Sequence, residues 1–202
     1  MLFRSYKKAA AAAAKTNAEI DDFSKEFPLR GAYFAAVEAL AKSSKLQMRE
    51  VLPSPIKPEE KKIFLAEQQP IAESIFHLKN VLTIMKEADK QRDKETSKRW
   101  HANFDYTQAR LRSRLIYLFE YNYTIGQVRN DNVPELAPGQ NGWRIGTGKK
   151  IAVTEPEAKN YFKETKKLWQ RIQDDYPDTP WALLAERESL VSIGLSWRPK
   201  SD

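Results

Sequence analysis

The alternation of apolar and polar positions predicts helices along nearly the whole chain, and its strongest signal lies in the middle. Trp100, Phe104, Thr107, Leu111, Leu115, Leu118, Asn122 and Ile125 recur at steps of three and four, the spacing of one helix face. No proline interrupts residues 93–129. Ala109, Ile116, Phe119 and Tyr123 form a second stripe on another face. A helix that is apolar on more than one side is normally enclosed by others. The pattern therefore predicts a long central helix over about 93–129.

Upstream, residues 2–26 read as a helix closed by Phe27-Pro28. Gly31 to Lys45 reads as a second, with Phe34, Val37, Leu40 and Ala41 at helical spacing. Pro53, Pro55 and Pro58 make 52–58 an extended connector. Glu59 and Glu60 then place acids in the first turn of a third helix, where the helix dipole favours them. Its seam is Ile63, Phe64, Ile71, Ile75, Leu78, Leu82 and Met85. Pro70 is expected to kink or split it near Gln69. Residues 86–99 are almost entirely polar and read as a helical extension or a turn.

Downstream, 130–153 is rich in Asn, Gly and Pro and reads as a long loop. A short hairpin around Trp143-Arg144-Ile145 and Lys150-Ile151-Ala152-Val153 is the alternative there. Thr154 and Glu157 have capping-box spacing at the head of a fifth helix, about 155–176. Thr179 is a good N-cap and Pro180 suits the first helical position of a sixth, running to about Leu190. Ala182 and Ala185 place small residues beside its partner helix. The end of the chain is an extended tail with Trp197 docked. The expected fold is all-α, an irregular helical bundle around the central helix. The expected organisation is a single helical domain over 1–202, with N-terminal helices in 1–52, long antiparallel helices in 58–130 and a helical hairpin in 154–192.

Composition changes the picture mainly by exclusion. The 202 residues contain no cysteine, which removes disulfides, thiolate nucleophiles and cysteine metal sites. The net charge of +7 is spread thinly, as +2, +3, +3 and −1 over the stretches ending at 60, 100, 153 and 202. A nucleic-acid binder concentrates its cations in a stripe, and the nearest approach, Arg110, Arg112 and Arg114, splits between faces. No nucleic-acid partner is expected. No apolar run approaches the ~20 residues of a membrane span. Ala9 to Ala14 is too short and too weakly apolar for an export signal, and Lys15 closes it.

Candidate chemistry is sparse. Gly146-Thr147-Gly148-Lys149-Lys150 suggests a phosphate loop, but Trp143 stands where the first glycine belongs and Lys150 where Ser or Thr belongs. Arg144, Lys149 and Lys150 retain the possibility of a loose anion contact beside Trp143, against a plain solvated loop. His77 and His101 have no metal-pair spacing. No catalytic, metal or cofactor residue is assigned, and the chain reads as a non-enzyme. Asp105 and Arg112 share a side of the central helix, and two readings stand: partly buried and ion-paired, with each other or with an adjacent helix, to set register, or a solvated flank. Arg114 and Glu120 lie off that line and need partners from neighbouring helices. The rings of Phe104, Tyr106, Tyr117, Phe119, Tyr121 and Tyr123 serve either as core and rim or as a stacking platform.

Two resemblances narrow this. Tyr176-Pro177-Asp178-Thr179-Pro180-Trp181-Ala182, with Ala185, resembles the tetratricopeptide-like hairpins of bacterial envelope proteins. Only one such unit is present, so a repeat array is not implied. Trp100-His101-Ala102-Asn103-Phe104-Asp105-Tyr106, Leu118-Phe119-Glu120-Tyr121-Asn122-Tyr123, Asn141-Gly142-Trp143-Arg144, Asp178-Thr179-Pro180-Trp181-Ala182 and Gly194-Leu195-Ser196-Trp197 resemble the C-terminal helical region of large planctomycete-type proteins that carry a von Willebrand factor type A domain. The similarity covers about residues 100–199 and implies no reaction. The metal motif of that adhesion domain, Asp-x-Ser-x-Ser, fails at the last position of Asp22-Phe23-Ser24-Lys25-Glu26. The expected function is a non-catalytic scaffold or protein-interaction module, part of a larger assembly protein. The alternative is a cell-envelope or glycan-associated binder using the aromatic helix and Trp143.

Overall fold

The computed structural model describes residues 23–153 and 155–201. Helices dominate: α1 is Pro28–Ser43, α2 Pro58–Asp89, α3 Lys98–Arg129, α4 Pro156–Asp175 and α5 Pro180–Leu190. Three strands, β1 Val51–Pro53, β2 Gln140–Gly148 and β3 Gly194–Ser201, form one antiparallel sheet in that order. The all-α expectation is corrected by this sheet. Its three strands come from the proline connector, the loop over 130–153 and the extended tail.

The sheet forms because each of those segments alternates. Trp143 and Ile145 point inward, Arg144 outward. Leu195 and Trp197 pack on the core while Arg198 faces out. One residue of register slip would reverse every one of these. The hairpin alternative for 143–153 fails, because β2 pairs with β1 and β3 rather than with 150–153.

α3 is the centre. From Trp100 to Arg129 only Arg110 is exposed. One side of α3 joins the main core, with Phe104, Leu111, Leu115, Leu118 and Ile125 against α1, α2 and the sheet. The other side places Ala102 and Ala109 against Leu168, Trp169 and Ile172 of α4 and Ala185 of α5. Alanines let backbones approach, and α1 uses the same device through buried Ala32, Ala36 and Ala39.

Several local expectations shift. α2 runs unbroken through Pro70, which lies on the exposed side, where water can reach the carbonyl left without its amide partner. Glu60 at the head of α2 accepts the Lys57 N–H at 2.8 Å. The central helix begins at Lys98 rather than 93, after a 3-10 turn over Arg92–Lys94. Glu95 is extended there, its carboxylate accepting the Ser97 N–H at 2.9 Å. Thr179 does cap α5, accepting the Ala182 N–H, and Pro180 opens it. Of the helix predicted over 2–26, residues 23–26 are helical and the rest lies outside the described residues, as does the Thr154 cap.

Candidate functional site

Charged side chains decide what the interior can do, because a buried charge without partners is strongly unfavourable. Asp105 and Glu120 on α3 are both fully buried. Asp105 accepts two hydrogen bonds from Arg92, at 2.8 and 2.6 Å, one from Arg171 at 2.5 Å and one from the Tyr176 hydroxyl at 2.9 Å. These partners come from the 3-10 turn, from α4 and from the residue that ends α4. Burial pushes the Tyr176 hydroxyl above its ordinary value, and the Asp105 charge and hydrogen bond push it further. Burial opposes the Arg92 charge, but the hydrogen bond and charge of Asp105 and the hydrogen bond to Asp89 together outweigh that and raise its value.

Among the described residues no cation pairs with Glu120. Its carboxylate accepts backbone N–H groups from Val153 at 2.7 Å, Ala152 at 3.0 Å and Leu195 at 3.1 Å. It ties the segment before α4 and the start of β3 to the central helix, so its partners are strand and loop amides rather than the neighbouring helix expected.

Arg112 pairs with Glu164 of α4 at 2.9 Å rather than with Asp105. Arg114 donates to the Ser43 hydroxyl at 2.7 Å and to the Ser43 carbonyl at 2.5 Å, tying α3 to the end of α1. Burial holds the Arg114 guanidinium below its ordinary value. Trp181 donates to Asn103 on α3 at 3.2 Å. Tyr121, pushed up to about 12 by burial, bridges the backbone of Arg49.

Trp143, named with the loop cations as a partner contact, is corrected. It is 4% exposed, its N–H donates to the Pro134 carbonyl at 3.0 Å and its ring meets Trp197 at 6.3 Å. Both tryptophans anchor the sheet to the core. Of the rings read as a platform, Phe104 and Tyr121 are buried, Tyr106, Tyr117 and Phe119 pack half-buried against the cores, and Tyr123 is half-buried.

Arg144, Lys149 and Lys150 are exposed. Arg144 sits on the outer face of the sheet, directly opposite Arg198 in the register. Lys200 follows two residues later on the same strand. Lys149 and Lys150 lie just past the end of β2. This outer face is the cationic surface of the sheet. The described residues contain no cluster of His, Asp and Glu suited to a metal ion, and no helix is long and apolar enough to cross a membrane.

Sequence reasoning missed Arg92, Arg171 and Tyr176 around Asp105, and Arg198 and Lys200 on the sheet. The alternation Leu195-Ser196-Trp197-Arg198 was the available signal for the last two. No family model, curated protein or solved structure matches this chain.

Proposed function

We propose that the chain is a non-catalytic helical scaffold or protein-interaction module, part of a larger assembly protein. The observation that carries this reading is the use made of the two buried acids. Asp105 and Glu120 have every oxygen engaged by groups of the frame itself, four hydrogen bonds on one and three on the other. A catalytic carboxylate needs to reach a substrate proton or atom. These two instead join α3 to four other parts of the chain.

Two further features favour an interaction role. α5 leaves Leu183 and Leu190, seven residues apart on one helix face, exposed, and Val191 just past its end is exposed as well. The Thr179 cap and Pro180 start of α5 support reading the helix pair α4–α5 as a tetratricopeptide-like hairpin, a unit suited to holding a partner. The similarity to the helical region of the planctomycete-type proteins supports the same reading.

The test is chemical crosslinking of the full chain in its own cell extract, with mass spectrometry of the products. A defined protein partner at reproducible crosslink positions is the expected result. Turnover of any substrate that disappears in Asp105→Asn or Glu120→Gln, with the fold intact, overturns the reading.

A further inference from the structure

We propose that the outer face of the sheet docks an extended acidic segment of a partner protein, with its carboxylates on Arg144, Arg198 and Lys200. This rests on the interaction-module reading and names the partner's chemistry.

Arg144 and Arg198 are direct cross-strand partners. Like charges so placed repel, and sheets normally set an opposite charge there. Among the described residues no acid occupies a strand position on this face. The outer positions around the pair are Val51, Gly146, Ser196 and Lys200, by strand alternation. Glu50, just before β1, acts on Tyr117 of α3. Among the described residues no carboxylate pairs with either guanidinium.

The arrangement is also held in place. Arg198 crosses Gly146 so closely that a Cβ there would stand 2.5 Å from its Nε. Its terminal N–H reaches the Thr147 carbonyl at 3.4 Å. The remaining N–H groups are free to fork onto a carboxylate, the geometry in which arginine binds best. Arg198 and Lys200 are two residues apart on one strand, roughly 6.6 Å. Acids at alternate positions of an extended peptide have the same spacing.

The free edge of β3 is a poor alternative entrance. The Leu195 N–H is taken by Glu120, and Pro199 has no N–H to offer. The ligand therefore lies on the face. A protein segment suits it better than a nucleic acid. Three cations with two more at one end match a few carboxylates, whereas a phosphate backbone calls for a longer basic track. Val51, 37% exposed beside Arg144, adds an apolar ledge.

The test titrates the full chain into a fluorescent peptide of alternating glutamate and serine. An all-serine peptide, oligouridylate and phosphatidylserine vesicles are run in parallel. The glutamate peptide is expected to bind best, and Arg144→Gln with Arg198→Gln to weaken it at least about tenfold. Lys159→Gln with Lys163→Gln, on exposed α4 sites, is expected to leave it unchanged. Arg144→Gln alone, at a side chain the fold does not use, guards against a misfolded double variant and should weaken binding in the same direction. Four results overturn the proposal: no preference over the serine peptide, no loss in either arginine variant, an equal loss in the lysine variant, or stronger arginine-dependent binding of oligouridylate or vesicles. Partner crosslinks that fall away from the sheet face sink this inference alone. Absence of any partner sinks the module reading as well.

Discussion

Arg92 sets two guanidinium N–H groups on the two carboxylate oxygens of Asp105, at 2.8 and 2.6 Å, across the bend between α2 and α3. Arg171 of α4 reaches the same carboxylate from the other side. One buried acid thereby fixes the turn, the central helix and the C-terminal helix pair. Such an arrangement adds less to stability than an apolar replacement of equal fit, yet removing a single member leaves charges stranded. Its contribution is to make one packing register preferable to its neighbours.

Asp105→Ala leaves Arg92 half-buried without its main partner and the Tyr176 hydroxyl without its acceptor. The expected loss is about 3–5 kcal/mol, read as the shift in a urea unfolding midpoint. A midpoint that stays in place contradicts the role assigned to this acid.

Glu120→Gln keeps the size of the side chain but turns one acceptor into a donor that faces backbone N–H groups. The expected cost is about 1–3 kcal/mol for the unsatisfied amide groups. The damage should be local. Amide exchange is expected to accelerate at Ala152, Val153 and Leu195, while the helices keep their circular dichroism. Unchanged exchange at those three amides would show that the carboxylate does not hold them.

Much of the helical frame could be read from the chain. The steps between Phe104 and Ile125 identified the enclosed helix, and Thr179-Pro180 identified the start of α5. The sheet was hidden for a physical reason. β1 is short, β2 is broken by glycines and β3 holds a proline, and their partners lie far away in sequence: Val51 pairs with Arg144, and Arg144 with Arg198. Local periodicity carries no information about such pairing. Asp105 and Glu120 were visible as unusual acids in an apolar helix. Their partners were not, because hydrogen-bond partners 13 to 75 positions away on other elements leave no trace in spacing. Trp143 was mistaken for a contact residue because a tryptophan in a glycine-rich stretch resembles a loop anchor; only the strand register turns it inward.

Acid sensitivity follows from Glu95. The hydrogen bond from Arg30 holds its carboxyl below the ordinary value of 4.5, and the Ser97 N–H adds to this against burial. A carboxyl lowered in the folded state stabilises the fold above its unfolded value and loses that contribution as the pH falls through the folded one. Stability is therefore expected to decline below about pH 4.5. Glu95→Gln should flatten that part of the curve in urea melts taken at successive pH values. An acid limb as steep in the variant as in the parent would remove Glu95 from the account.

The central claim is that α3 is an enclosed axle whose burial holds both cores together. Native-state hydrogen exchange, followed amide by amide, tests it most directly. The amides of Leu111, Leu115, Ile116 and Leu118 are expected to be the slowest in the chain and to open only with global unfolding. If they exchange faster than those of α2, through local opening, α3 is not the element around which the rest is built.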